Sequence, residues 1–144
     1  MTRSGRDPML IATLTLLLAL LGIHALDHTL RQSAPVPAEA STLGTLGFVV
    51  AAAALVLALA GSRWAWPLTT LVAFGTFAGF LLVHVAPDWG PFSQPYADIP
   101  VDALSWVAML VPAGVAFGVG VYAARGLGGP FGSRAHRTAS SKPS

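Results

Sequence analysis

Residues 9–30 read MLIATLTLLLALLGIHALDHTL, and the first charged side chain among them is Asp27. A helix needs about 20 residues to cross the hydrocarbon layer of a bilayer. It is also the form a lone apolar segment takes there, because it pairs its own N–H and C=O groups where no water can. Three stretches of similar length follow, at about 43–61, 66–86 and 101–124. Over the 144 residues 54% are hydrophobic and 10% charged, against roughly 25% charged in a soluble domain. The expected fold is all-α, an integral membrane four-helix bundle. It forms one transmembrane domain over 1–125, followed by a disordered basic tail over 126–144.

Charge sets the expected orientation, since Lys and Arg in short loops are retained on the cytoplasmic side. Arg3, Arg6, Arg63, Arg125, Arg134, Arg137 and Lys142 fall on one side of the four spans, and Arg31 alone falls on the other. Asp27, Glu39, Asp88, Asp98 and Asp102 accompany Arg31, whereas Asp7 is the single acid on the basic side. Both termini are therefore expected inside, with net charge +6 on the inner face and −4 on the outer. The pI near 9.7 then reflects basic segments against an anionic leaflet, and a nucleic-acid partner is not implied. The lipid bilayer is the expected partner, together with this chain itself or another membrane protein.

The first span has the basic start of a signal peptide, and Ala38-Glu39-Ala40 has the small-x-small form of a cleavage site. Its apolar core is longer than the roughly 7–15 residues of a signal h-region and ends well before that site, so a retained helix is expected. The chain has no cysteine, which removes disulfides, thiolate metal sites and Cys nucleophiles. Seven Arg against one Lys, with abundant Ala, Gly and Pro, points to a high-GC genome and a bacterial cytoplasmic membrane.

Ser41 is the expected cap of the second helix, and Pro67 suits the first turn of the third. Gly75 and Gly79 on the third helix and Gly114 and Gly118 on the fourth have the spacing that lets backbones approach in a membrane. They suggest a close antiparallel pair, with Pro112 bending the fourth helix by removing a bond to the Ala108 carbonyl. Trp64 and Trp66 at one end and Trp89, Phe92 and Tyr96 at the other read as interfacial belts.

The chemistry-bearing segment is His24-Ala25-Leu26-Asp27-His28, followed by Arg31. Positions 24, 27, 28 and 31 share one helix face. The third span runs in the same direction as the first and carries His84 and Asp88 near the same end. Imidazoles at i and i+4, a third imidazole and a carboxylate can complete a tetrahedron around Zn²⁺ or a similar divalent transition metal. The candidate ligands are His24, His28, His84, Asp27 and Asp88. Copper(I) is disfavoured, because cysteine is absent and Met9 and Met109 are expected away from this layer. The H-E-x-x-H protease motif is not met, since Ala25 stands where its Glu would be.

Other readings of the same residues are a single bis-histidine haem with His84 as one axial ligand, a pH-sensing or proton-relay layer, and polar contacts that only fix helix register. Four helices in a short chain resemble the small multidrug-resistance exporters. Their carboxylate within the first span is missing here, where Thr13-Leu14-Thr15-Leu16-Leu17 occupies the middle. The expected role is non-enzymatic: binding or sensing through the His/Asp layer, or a structural or assembly subunit of a larger membrane complex.

Overall fold

The computed structural model describes residues 6–128. The described residues form four helices, each long and apolar enough to span a membrane, and no strand occurs among them. They are α1 (Pro8–Leu30), α2 (Ala38–Leu59), α3 (Ala65–Phe80, extended by a π-helical turn Leu81–Val85) and α4 (Ala103–Leu127). Each packs on its chain neighbours and α4 returns to α1, closing a ring, with α3 and α4 in the most extensive contact. The expected tail from residue 129 onward lies outside the described residues, and α4 itself runs on through Leu127.

Local chemistry accounts for the helix ends. Asp7 caps α1 by accepting from the Leu10 N–H at 2.9 Å, with Pro8 in the first turn, where its missing N–H costs nothing. Asp102 caps α4 by accepting from the Leu104 and Ser105 N–H groups. Ser41 does not cap α2. The helix begins earlier, at Ala38, and the Ser41 N–H bonds to the Pro37 carbonyl, because Pro37 presets a φ of −54° and the alanines after it favour helix. At the other end of α2, Gly61 adopts φ 68°. Its N–H bonds to Ala58 and that of Ser62 to Leu57, a Schellman ending that a residue with a Cβ would strain.

With lipid outside, the interior is distinguished by small residues rather than by hydrophobicity. Ala51, Ala54 and Ala58 of α2 are buried against Leu10, Leu14 and Val72. Large apolar side chains such as Leu16, Leu46, Leu71 and Phe117 point outward. The α3–α4 contact is made, but not by the glycines expected to make it. A Cβ on Gly75, Gly79, Gly114 or Gly118 would meet nothing within 4 Å. The close approaches are at Gly120, where a Cβ would lie 3.0 Å from the Phe74 ring, and at Gly126, where it would overlap the Trp66 indole. Spacing alone does not say which helix face turns inward, and here Ala113, Ala116, Val119 and Ala123 hold that face. Trp66 accordingly leaves the belt role: it is 9% exposed and packs on Tyr122, while Trp64 stays exposed. Tyr122 donates to the Asp7 carboxylate at 3.1 Å, joining α4 to the start of α1.

Gly120→Leu and Gly126→Leu should lower thermal stability in detergent by about 1–3 kcal/mol through overpacking, whereas Gly75→Leu and Gly118→Leu should stay close to wild type. Comparable melting of all four variants would count against this packing. The orientation expected from charge is read out by single cysteines at Ala97, which is exposed, and Ser62, which is half-buried, in this cysteine-free chain. An impermeant maleimide on intact cells should label Ala97→Cys and spare Ser62→Cys until lysis; the opposite pattern would invert the topology.

Candidate metal centre

The polar end of the bundle gathers the end of α1, the π-helical turn after α3 and the 87–100 loop. Helical spacing stacks His24 over His28, and their Nε2 atoms lie 3.2 Å apart. His84 enters from the π-helical turn, closed by the Ala86 N–H bonding to the Leu81 carbonyl at 2.8 Å. Such wider turns recur at functional sites. His84 is 5% exposed, and its ring centroid lies 5.2 Å from that of His24 and 5.3 Å from that of His28. One ring nitrogen from each of the three histidines falls within 4.8 Å of the others.

The 87–100 loop folds back as a plug instead of lying wholly in the interface. The carbonyls that end the α3 segment are taken by its donors: Leu82 by Trp89 Nε1 at 2.7 Å, Val83 by the Gln94 N–H at 2.7 Å and His84 by the Tyr96 N–H at 2.9 Å. The Gln94 carbonyl faces His84 Nδ1 at 3.3 Å. A carbonyl only accepts, so Nδ1 carries the proton and the Nε2 lone pair of His84 is free for another partner. Pro112 lies inside α4 and has no N–H to pair with the Ala108 carbonyl.

Among the expected belt residues, Trp89 and Phe92 stack on each other at 5.9 Å and stay exposed. Tyr96 does not. It is 2% exposed, packs between His84, at 4.5 Å, and Trp106, at 5.4 Å, and places its hydroxyl 3.4 Å from His28 Nε2. Burial pushes that hydroxyl up to about 12, so it is a neutral donor near neutral pH. Gln32 Nε2 donates both to Tyr96 Oη and to Asp27 Oδ2, each at 2.9 Å. Met109, expected away from the layer, is fully buried in a cluster with Phe80, Tyr96 and Ala113. Seven residues into α4 from its cap, it sits about 10 Å in from the helix start, a depth comparable to that of His24.

The two carboxylates part company. Asp27 is buried and bonded to Gln32, with Arg31 Nε 3.5 Å from its Oδ1; it stands beside the imidazoles as a supporting group and is not one of the clustered donors. Asp88 is not one helical turn from His84, because the backbone leaves the helix at Ala86 with ψ 151°. It turns to the surface, accepting from Ser93 Oγ at 2.7 Å and the Gly90 N–H at 3.0 Å, with Ser93 the main cause of a carboxyl held below its ordinary range. Arg31 also pairs with Asp102, linking α1 to the cap of α4.

Among the described residues, His24 Nδ1, His28 Nδ1, Gln32 Oε1 and Gln94 Oε1 at this end are buried without a hydrogen-bond partner, Asp27 Oδ1 has only the ion pair with Arg31 Nε at 3.5 Å, and Thr69 Oγ1 lies apart. Buried groups are ordinarily paired, so the concentration of exceptions singles out this layer. A haem does not suit it. Two axial imidazoles must face each other across a flat macrocycle, whereas here the His84 ring lies 5.2 Å from that of His24 and 5.3 Å from that of His28, and Phe80 and Tyr96 pack against the same rings. The three clustered imidazoles form a group whose ring nitrogens are close enough to share one metal ion. No protein-family model, no curated protein and no solved structure matches the chain.

The Asp102 carboxyl is held below its ordinary range first by the Ser105 N–H, with Arg31 and Leu104 N–H contributing. A depressed folded-state pKa means that its stabilising effect is present above the unfolded value of about 3.9 and is lost as pH falls through the folded one. Asp102→Asn should therefore lower stability at neutral pH and show a shallower loss below about pH 4 than wild type. Parallel acid-melting curves for the two proteins would place the acid sensitivity elsewhere.

Proposed function

We propose that this protein binds one divalent transition-metal ion in the His24, His28 and His84 layer, as a non-enzymatic binding or sensing protein of a bacterial cytoplasmic membrane. The observation that carries the reading is the convergence of three imidazole nitrogens from two separate segments within 4.8 Å. Two further features support it. The His24–His28 Nε2 separation of 3.2 Å is close to the spacing of about 3.3 Å between donors around an ion held at ~2.0–2.1 Å. Glu39, Asp88, Asp98 and Asp102 lie toward the same end, where Arg31 is the single Lys or Arg among the described residues, an acidic surround that concentrates cations near the site. In the orientation expected from charge, this end faces outward.

The second reading is a layer that only sets helix register in a membrane assembly. The paired Asp27, Arg31 and Asp102 favour it, because such pairs join helices without any ion. Metal content separates the two. Protein purified without chelators should hold about one ion per chain, and His24→Ala, His28→Ala and His84→Ala should each lose most of it while keeping wild-type helical content. Zn²⁺ at about 100 times Kd should stabilise wild type by about 2.7 kcal/mol and leave the variants unmoved. Wild type that is metal-free and indifferent to Zn²⁺ would leave helix packing as the role of the layer.

A further inference from the structure

We infer that Tyr96 supplies the fourth ligand through its phenolic oxygen, closing the centre with three imidazoles and one phenolate. The inference rests on the three-histidine reading above and assigns the position that the sequence pattern gave to a carboxylate. Donor atoms bound at ~2.0–2.1 Å around a tetrahedral ion are separated by about 3.3 Å. Two such edges already meet at His28 Nε2: one to His24 Nε2 at 3.2 Å, the other to Tyr96 Oη at 3.4 Å. The third imidazole is held against the same phenol ring, His84 to Tyr96 at 4.5 Å between centroids. An ion seated on the three imidazoles therefore has the phenolic oxygen beside it.

Neither acid competes for this place. Asp27 is occupied by Gln32 and Arg31, and Asp88 lies in the surface turn with Ser93 and Gly90. Gln32, by contrast, is placed to serve the phenol. Its amide donates to Tyr96 Oη at 2.9 Å, and a donor to that oxygen supports the anionic form once a cation is bound. On binding, the phenolic O–H bond breaks, an oxygen–metal bond forms and the proton leaves to the medium; no electron moves. Gln32 is only partly buried, which leaves the proton a short way out. A phenolate joined to imidazoles makes a harder, more anionic set than imidazoles alone and extends the range of ions from Zn²⁺ to Cu²⁺ and Fe³⁺.

Cu²⁺ alone, added to the full-length protein in detergent, is the probe, because phenolate-to-copper charge transfer absorbs in the visible and imidazole ligation alone does not produce that band. Wild type should bind about one Cu²⁺ with the band and release about one proton more than Tyr96→Phe. Tyr96→Phe, which keeps the ring contacts with His84 and Trp106, should bind copper through the histidines without the band. Its affinity should be weaker by at least about tenfold, the loss that even outer-shell partners bring. Stoichiometric copper in wild type with no band, or a band retained in Tyr96→Phe, overturns the phenolate ligand and leaves the three-histidine centre standing. Wild type that takes up no copper overturns both.

Discussion

A bilayer offers no water to pair with a backbone group, so each carbonyl that a helix leaves open must find a donor within the chain. The end of α3 is where this constraint shapes the molecule most. A π-helical turn followed by extended backbone at Ala86 exposes the carbonyls of Leu82, Val83 and His84, and the 87–100 loop supplies Trp89 Nε1, Gln94 N–H and Tyr96 N–H to meet them. Three backbone groups thus hold the loop against the bundle. The same hydrogen bonds carry Tyr96 into the interior and set the Gln94 carbonyl on His84 Nδ1. Helix termination and site construction are one event here.

The proline of α4 follows the same logic. Pro112 lacks the N–H that would have paired with the Ala108 carbonyl. His84 is oriented by a carbonyl lying outside regular helix, that of Gln94. His28 differs. Its Nε2 faces His24 Nε2 and Tyr96 Oη, while its Nδ1 is buried without a partner. It stands at the centre of the cluster, the donor to which the others are measured.

At the opposite end the bonds are structural. Asp7 caps α1 and accepts from Tyr122, and Trp66 fills the space that Gly126 leaves on α4. The two ends use similar residue types to different effect. Aromatic side chains seal both, and at the Arg31 end His24 Nδ1 and His28 Nδ1 are buried without a hydrogen-bond partner among the described residues.

The four spans were legible from sequence because apolar length is a property of each segment alone, and the observed helices begin and end within a few residues of the stretches read from composition. The grouping of His24, Asp27, His28 and Arg31 was legible too, since it needs only the helical period. The depth of His84 followed from counting residues along a parallel span. Gln32, four residues beyond His28, continues the same stripe and was within reach of that reasoning. Tyr96 was not. A loop with four prolines and three aromatics reads as interfacial, and its inward fold depends on carbonyls that a π-helical turn exposes, a geometry with no periodic signature. Which glycines face a neighbouring helix, whether Trp66 meets lipid or Tyr122, and whether Asp88 follows His84 on a helix were likewise decided by tertiary packing. In each case the cause is the same. Composition tells what a side chain tolerates, but in a membrane, where both faces of a helix are apolar, only the packing of neighbours chooses the face that turns inward.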